Sequence, residues 1–306
     1  MPWIKKGLIY TPSGKSDWRH SSALTPTPLL IDDDTIRVFT GFRDPNGISR
    51  IGYVDVSSTD PSRLLRLSEE PVLELGQAGC FDDNGMILGD LIRVGNEIRM
   101  YYVGFQIADQ VKFLAFSGLA LSRDGGDSFE RHSQAPILDR SDEGLFIRAI
   151  HSVQYEHGRY RIWYAADDGW ENIDGTPYPR YHIMYADSDD GIHFAAQGTP
   201  VILPDKNNQE YRIGRPRVYK RNDRYIMNFT YGTIDGRYQA GQATSIDATS
   251  WQRDDSQLGI DLSEQGWDSL HLSYPAVLRA GERWYMFYNG NHMGRDGFGY
   301  AVLEEA

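Results

Sequence analysis

Two adjacent acids in a glycine-rich loop are the first residues in this sequence that could do chemistry. Asp82 and Asp83 stand in "GCFDDNGM" (79–86), directly before the apolar segment "ILGDLIRV". Glycoside cleavage needs one carboxylic acid to protonate the leaving oxygen, and inverting hydrolysis adds a second carboxylate, about 6.5–9.5 Å away, to activate water. Neighbours in an extended chain point to opposite sides, so we expect the partner acid elsewhere, with Asp268 as first candidate. The alternative is that Asp82 and Asp83 only cap a turn.

A second set of residues suits a ligand with many hydroxyl groups. Aromatic faces stack on sugar rings, whereas Arg, Asp and Asn hydrogen-bond to hydroxyls. The candidate substrate-binding residues are Trp18, His20, Arg43, Asp44, Arg148, His151, Trp170, Glu171, Arg215, Tyr274 and Asn291. Arg215 and Arg217 alternate along one segment and share a side, which requires an anion: Asp, Glu, phosphate or a uronate. A buried, hydrogen-bonded His151 and an internal Arg43–Asp44 ion pair are the alternatives.

The elements that position these residues recur along the chain. Segments roughly 60 residues apart share one aromatic-rich pattern, and a fixed period of this kind indicates a repeat architecture. The five segments are "IRVFTGF" (36–42), "IRMYYVGF" (98–105), "YRIWYAAD" (160–167), "YIMNFTYG" (225–232) and "WYMFYNGN" (284–291). Each follows a polar turn and another short apolar strand, which predicts a hairpin in every repeat. A third strand comes next, and three repeats add a Ser-x-Asp turn and a fourth strand with an aromatic residue.

Five repeats of four antiparallel strands predict an all-β fold, a single five-bladed β-propeller over residues 1–306. The last repeat has only three strands, whereas "WIKKGLIYTP" (3–12) is a spare strand before the first hairpin. We therefore expect this N-terminal strand to close the last blade. In a propeller the innermost strands surround a central channel, so the loop 79–86 and the binding candidates should lie at its mouth.

Composition and charge exclude several classes of function. A formal net charge of −12 argues against nucleic acid or an anionic membrane as partner, because both require a basic surface. No apolar run approaches the roughly 20 residues that span a membrane, and the N-terminus has no signal-peptide pattern, so we expect a cytoplasmic protein. The single cysteine, Cys80, excludes an intrachain disulfide and a Cys-based zinc site. We expect no cofactor, with a structural Ca²⁺ or a bound phosphate in the channel as alternatives.

The five hairpins and the "S-x-D-G…F/W" turns resemble the five-bladed propeller glycosidases: families 43, 32 and 62 and the related family 130 mannoside phosphorylases. The resemblance covers nearly the whole chain. It implies catalytic carboxylates for family 43 at the positions of Thr27, His151 and Arg215, so that triad is not carried. Family 130 implies an Asp together with Arg, His and Tyr residues that hold phosphate, and candidates for that part are Arg148, His151, Arg212, Arg215 and Tyr274.

The sequence thus predicts a glycosidase-like protein acting on a glycoside or sugar conjugate at the channel mouth. If it hydrolyses, we expect inversion, with Asp82 or Asp83 and Asp268 as the acid and base. A phosphate-dependent phosphorylase and a non-catalytic carbohydrate-binding propeller are the alternatives, followed by a structural or interaction propeller. The sugar, the linkage and the oligomeric state stay open.

Overall fold

The computed structural model describes residues 2–195 and 197–304, in which the regular secondary structure is almost entirely β-strand. The first strand is β1 (Trp3–Tyr10). A first antiparallel group of four follows: β2 (Ser21–Leu30), β3 (Thr35–Arg43), β4 (Ser49–Ser57) and β5 (Leu64–Leu67). The second group is β6 (Met86–Val94), β7 (Glu97–Gln106), β8 (Leu114–Ser122) and β9 (Glu130–Arg131).

The remaining strands repeat this order. The third group is β10 (Ile147–Glu156), β11 (Arg159–Ile173), β12 (Thr176–Ser188) and β13 (Thr199–Ile202). The fourth is β14 (Glu210–Arg221), β15 (Arg224–Thr233), β16 (Tyr238–Ser245) and β17 (Gln252–Arg253). The last strands are β18 (Ser273–Ala280), β19 (Arg283–Asn289) and β20 (Phe298–Leu303). Short helical turns occupy Lys206–Asn208, Asp255–Leu258 and Asn291–Gly294.

The spare N-terminal strand pairs as the sequence predicts. Strand β1 runs antiparallel to β20, from Trp3 opposite Leu303 to Tyr10 opposite Phe298. Within the described residues, the fifth group therefore also has four strands, in the order β1-β20-β19-β18. The all-β prediction is confirmed.

The groups are arranged in a closed cycle. The first strands of neighbouring groups contact one another in the order β2, β6, β10, β14, β18 and back to β2. The apolar cores lie between groups: Phe39 of the first group packs with Met100 of the second, and Phe287 of the fifth packs with Val38 of the first. Burying each of these large apolar side chains stabilises the folded protein by about 1.5–3 kcal/mol. The innermost strands are thereby held around a common centre.

The Ser-x-Asp turns between third and fourth strands form as predicted. The hydroxyls of Ser122, Ser188 and Ser245 accept backbone N–H groups three or four residues later, at 2.8, 3.0 and 2.9 Å. The aromatic residues that follow pack back into the cores, as Phe129 does in its cluster. No helix among the described residues is long and apolar enough to cross a membrane.

Candidate functional site

The innermost strands share one irregularity, a β-bulge in the middle of the strand. Pairing with the next strand shifts register at one point in β6, β10 and β18 and at two points in β2 and β14. The residues left out of the ladder at these points include Thr25, Gly89, His151, Arg215 and Tyr274. A bulge bends the strand and re-aims a side chain. All of these residues except Gly89 line one central cleft.

Three of the bulges hold a strained residue before a proline. Thr25, Arg215 and Tyr274 have φ of 54°, 54° and 56°, in the left-handed region that side-chain-bearing residues rarely adopt. Such strain costs about 1–3 kcal/mol and persists only where the surroundings enforce it. Here the N–H of Thr25 donates to Asn289 Oδ1 at 2.8 Å, and that of Tyr274 donates to Thr230 Oγ1 at 2.9 Å. The fold therefore holds these side chains in place at a cost, as is typical of functional sites.

The deep part of the cleft is a cavity of about 170 Å³ at the centre of the ring. Its polar lining residues are His151, Tyr181, Arg212, Arg215, Tyr238 and Tyr274. Its apolar lining comes mainly from the second and third groups, including Ile87, Val103, Phe113 and Ala165. The lining therefore combines two guanidinium groups, three phenols and one imidazole on an apolar wall.

The two arginines of the deep cleft have no acidic partner among the described residues. Arg215 donates to the carbonyl of Leu88 at 2.8 Å and lies 5.5 Å from the ring centre of Tyr274. Arg212 lies 4.8 Å from the ring of Tyr238, and its buried Nε has no hydrogen-bond partner. Of the residues that the structure describes, no Asp or Glu lines the cleft. Because buried charges are normally paired, this arrangement calls for an anionic ligand.

The titratable groups beside these arginines are held in their uncharged forms. Burial, and then the charges of Arg215 and Arg217, lower the pKa of His151 well below its usual value. The buried Nδ1 of His151 has no hydrogen-bond partner in the described structure, so it is free for a ligand. Burial raises the pKa of Tyr238 and Tyr274, whose hydroxyls are 3.0 Å apart. These phenols therefore stay protonated and can donate to a ligand oxygen.

The outer part of the cleft is wider, at about 410 Å³, which lies in the usual range for small-molecule sites. It shares Arg215 and Tyr274 with the deep part, so the two form one continuous cleft. Its additional polar lining residues are Thr25, Arg43, Ser49, Asn84, Lys112 and His292. Both additional charges are again positive. Within residues 2–195 and 197–304, no group of three or more His, Cys, Asp or Glu is arranged to hold a metal ion.

Arg217 differs from its neighbour because it has its own acidic partner. It binds Asp90 of β6 and the hydroxyl of Thr27 in β2. Asp90 also accepts the N–H of Val153 in β10 at 2.8 Å. The ion pair therefore ties four innermost strands together. Of the two alternating arginines, Arg215 and Arg217, only Arg215 lines the cleft.

Asp82 and Asp83 are placed in the loop before β6, but they do not line the cleft. Asp82 is 0% exposed; it pairs with Arg131 at 2.7 Å and accepts the hydroxyl of Tyr102 at 3.1 Å. Asp83 accepts the N–H of Gly79 at 2.8 Å within the turn. The contacts of Asp83 are those of the turn-capping alternative. Asp82 instead ties its loop to the second group.

Asp268 occupies an equivalent position in the fifth group. It is 2% exposed, pairs with Lys5 of β1 at 2.8 Å and accepts the hydroxyl of Tyr288 at 2.9 Å. Trp267 stacks on Tyr288 just as Phe81 stacks on Tyr102, with ring centres 5.0 and 5.7 Å apart. The pattern of aromatic, acid, tyrosine and cation thus recurs, and it fastens the loop that enters an innermost strand.

Arg148 belongs to a third cluster of this kind, in which an acid binds a tyrosine and a cation. It donates to Glu143 at 2.8 Å and to the carbonyl of Asp139 at 2.8 Å, and Glu143 also accepts the hydroxyl of Tyr164 at 2.7 Å. Arg148 is 5% exposed and does not line the cleft. Its guanidinium is therefore engaged within the protein.

The other predicted binding residues divide between the cleft and its surroundings. Arg43, His151, Arg215 and Tyr274 come together in the cleft. Five others lie outside the lining: Trp18, His20, Trp170, Glu171 and Asn291. Of these, Trp18 donates to the carbonyl of Glu69, His20 is half-buried, and Glu171 is in the β11–β12 hairpin. The expected Arg43–Asp44 pair is wrong, because Asp44 caps its own turn and pairs with Arg50 at 3.0 Å.

Asn291 acts on the cleft through the backbone. Its side chain accepts the N–H groups of Leu270 and His271 at 2.7 and 3.1 Å, and donates to the carbonyl of Gly266 at 2.8 Å. It thereby joins the loop before β18 to the turn that carries His292 into the cleft.

Sequence reasoning left two tyrosines of the cleft out. Tyr181 and Tyr238 both stand seven residues before the serine of a Ser-x-Asp turn, Ser188 and Ser245. Both are directly preceded by an arginine, which is Arg180 within β12 and Arg237 just before β16. Aligning the repeats on these serines would have placed the two phenols together at the centre.

Comparison with known proteins relates this chain to enzymes that act on sugars. A family model described as β-1,4-mannooligosaccharide phosphorylase matches residues 172–296, a range that contains Arg212, Arg215 and Tyr274. The protein named Uncharacterized protein Rv1502 of Mycobacterium tuberculosis (strain ATCC 25618 / H37Rv) is 35% identical over 305 residues, covering 99% of this chain and 100% of the relative.

Solved structures share the fold at low identity. One described as a glycoside hydrolase matches with a TM-score of 0.75 and 18% identity, over 99% of this chain and 92% of the other. Another is described by the statement that the GH130 family of mannoside phosphorylases contains glycoside hydrolases that target β-1,2 mannosidic linkages in Candida mannan. It matches with a TM-score of 0.72 and 14% identity, over 99% and 93%. The catalytic domain of a GH62 α-L-arabinofuranosidase from Coprinopsis cinerea matches with a TM-score of 0.67 and 13% identity, over 99% and 98%.

Proposed function

We propose that this chain is a member of the glycosidase-like superfamily of five-bladed β-propellers, and that it binds a glycoside in its central cleft and cleaves it with phosphate. The five strand groups are, in this proposal, the blades of one propeller domain over residues 1–306. Arg212 and Arg215 hold the phosphate, and the sugar lies towards the outer cleft.

The observation that carries the proposal is the pair of buried arginines in a lining without carboxylates. Hydrolysis by inversion uses a carboxylate base to activate water. Phosphate is itself a nucleophile, so phosphorolysis requires no such base. A phosphate between Arg212 and Arg215 gains charge-assisted hydrogen bonds of about 1.5–3 kcal/mol each. It would also supply the partner that Arg212 Nε and His151 Nδ1 otherwise lack.

Phosphorolysis still needs a proton for the leaving oxygen. The rings of Tyr238 and Tyr274 lie 4.8 Å from Arg212 and 5.5 Å from Arg215, and their protonated hydroxyls are hydrogen-bonded to each other. We propose that they orient the substrate oxygens and relay a proton. As an oxygen of hydrogen phosphate bonds to the anomeric carbon and the glycosidic bond breaks, the phosphate O–H proton passes through a phenol hydroxyl to the leaving oxygen. The two-carboxylate mechanism with Asp82 or Asp83 and Asp268 gains no support from the cleft, because these acids are engaged in the contacts described above.

The test is binding and turnover with inorganic phosphate. Phosphate should stabilise the folded protein by mass action and so raise its melting temperature. At a concentration 100 times Kd, the free energy of unfolding should increase by about 2.7 kcal/mol. Arg215→Met should weaken phosphate binding by about tenfold or more, since each 1.4 kcal/mol is a factor of ten. Arg93→Met, which removes an exposed guanidinium that lines neither part of the cleft, is the matched control.

Turnover is then measured with oligosaccharides, including β-1,4-mannooligosaccharides, with and without phosphate. Release of a sugar phosphate only when phosphate is present supports the proposal. Cleavage at the same rate without phosphate would refute it in favour of hydrolysis.

A non-catalytic carbohydrate-binding propeller is the second candidate. The observation that favours it is again the lining without Asp or Glu, since binding needs no acid. It predicts that sugars stabilise the protein but are recovered intact. A cytoplasmic location stays a prediction from the sequence.

A further inference from the structure

A second pocket lies beside the cleft, on the other side of the segment 107–113 that connects β7 and β8. Ile107, Lys112 and Phe113 of this segment line the cleft, whereas Ala108 and Val111 line the second pocket. The floors are also continuous, because Trp170 and Phe146 pack in the same apolar cluster as the cleft-lining Ile147. The two pockets are thus separated by one connecting segment.

The second pocket has a built aromatic floor. Trp170 stacks on Phe146 with ring centres 4.5 Å apart and planes 18° from parallel. Phe146 is in turn fixed by the buried Asp167, whose Oδ1 accepts the N–H groups of Phe146 and Ile147 at 2.9 and 2.6 Å. Phe146 is 7% exposed, whereas the indole is only half-buried. An ordered indole that stays partly open is therefore presented to the pocket.

A backbone irregularity places this indole. The pairing of β11 with β12 shifts register between Asp167 and Gly169, and Gly169 has φ of 117°. A bulge of this kind re-aims the side chain that follows it. Because φ near 117° is strained for any residue with a Cβ, glycine is required there. The position of Trp170 is thus built into the strand rather than left to a flexible loop.

Polar groups line the same pocket as the ring. Arg140 and Asp142 are exposed in the rim and have no ion-pair partner in the described structure, and Asp168 pairs with Arg180 at 3.2 Å. An open aromatic face with carboxylate and guanidinium groups at its edge matches the apolar face and equatorial hydroxyls of a sugar ring. The wide, solvent-open shape fits a sugar chain better than a compact anion.

We propose that the pocket of Trp170 is a distal sugar subsite, which binds the part of an oligosaccharide that extends past the segment 107–113 from the cleft. This deepens the proposed function, since it names a chain of several sugars rather than a monosaccharide conjugate as ligand. Trp170 contributes binding and chain-length specificity and takes no part in bond cleavage.

The experiment compares binding of wild type and Trp170→Ala by calorimetry. The ligands are a panel of oligosaccharides graded from one to six sugars, with β-1,4-mannooligosaccharides among them. In the wild type the affinity should increase with chain length. In Trp170→Ala the longer chains should bind about tenfold more weakly, with the monosaccharide unchanged, because only the aromatic contact is lost. Trp170→Tyr should restore most of the difference.

Two controls keep the test decisive. Val111→Trp fills the pocket from the connecting segment without altering the aromatic stack, and it should reproduce the loss even if Trp170→Ala folds poorly. Both variants should keep the phosphate affinity of the wild type. A chain-length effect that is absent in the wild type, or equal in all variants, overturns the subsite, and so does a wild type that binds no sugar of the panel. If the wild type binds no phosphate but shows the chain-length effect, the proposed phosphorolysis is refuted and the subsite is not.

Discussion

Replacing Asp82 by Asn separates a structural acid from a catalytic one. The carboxylate is completely buried, is paired with Arg131 at 2.7 Å and accepts the hydroxyl of Tyr102. Removing one partner of such a pair leaves the other charge buried without compensation, which costs about 3–5 kcal/mol. We therefore expect Asp82→Asn to lose that much free energy of unfolding, a large share of the total for a typical domain. The ligand affinity of the protein that stays folded should be unchanged.

Asp83→Asn is the matched control for this change. Asp83 is the neighbouring acid and has the same charge, but within the described part of the chain its side chain accepts only the backbone N–H of Gly79 in a turn. Its substitution should cost less than about 1 kcal/mol, the ordinary range for a single hydrogen bond. The assay is urea unfolding of both variants together with ligand binding at a temperature where each is folded.

A double-mutant cycle tests whether the loss of stability comes from the ion pair between Asp82 and Arg131. Asp82→Asn combined with Arg131→Met should cost less than the sum of the two single changes, because the second change removes the uncompensated charge. If Asp82→Asn keeps the wild-type stability but abolishes turnover, the structural assignment is refuted and Asp82 is the catalytic acid.

Three further predictions follow from the same structure. Lys5→Met should lower the melting temperature by uncoupling β1 from the buried Asp268, and Asp268→Asn should show the same effect, which a thermal scan checks. His151→Gln should reduce the loss of stability that the wild type shows below pH 6.5. In the wild type the imidazole binds a proton in the unfolded chain but not when buried in the folded protein, which lowers the free energy of unfolding by up to about 1.4 kcal/mol per pH unit. Urea unfolding at several pH values should therefore show the stabilities of the two proteins diverging as the pH changes. Gly89→Ala should destabilise by about 1–3 kcal/mol in urea unfolding, since its Cβ would lie 2.3 Å from the carbonyl oxygen of Ile150.

Much of the fold could be predicted from the sequence because its determinants are local. Each hairpin has its own turn residues and alternating apolar positions, and the fivefold recurrence of one pattern makes the assignment of each strand more secure. The pairing of β1 with β20 followed from counting strands, with "WIKKGLIYTP" as the only spare strand for the repeat that lacked one. None of this required knowledge of which side chains meet.

The site was harder to predict because a bulge changes which residue faces the centre. Alignment of the hairpins makes Thr27 equivalent to His151 and Arg215. Because of the bulges, Thr25 instead takes the equivalent position in the cleft, and Thr27 binds Arg217. A signal was present in the sequence: Thr25, Arg215 and Tyr274 each precede a proline. Proline has no N–H for the ladder, so its presence inside an inner strand indicates a bulge.

The acids were misleading for a related reason. Loops that enter an innermost strand do lead to the channel mouth, so Asp82 and Asp268 lie in the expected elements. Whether a carboxylate there faces the ligand or turns inward depends on a tyrosine and a cation that are distant in sequence, such as Tyr102 and Arg131, or Tyr288 and Lys5. Only the assembled structure brings these partners together. Adjacent acids in a loop therefore indicated the location of the mouth but not the chemistry inside it.

The charge distribution links these two findings. The chain has a formal net charge of −12, yet among the described residues the charged side chains of the cleft lining are Arg43, Lys112, Arg212 and Arg215, all positive. At 0.1 M salt, exposed charges more than about 10 Å away are largely screened, so the repulsion from the outer surface contributes little inside the cleft. Attraction within a buried site is screened much less. A protein that is acidic overall can therefore select an anion at its centre, because the buried acids of the loops before β6 and β18, Asp82 and Asp268, are paired with Arg131 and Lys5.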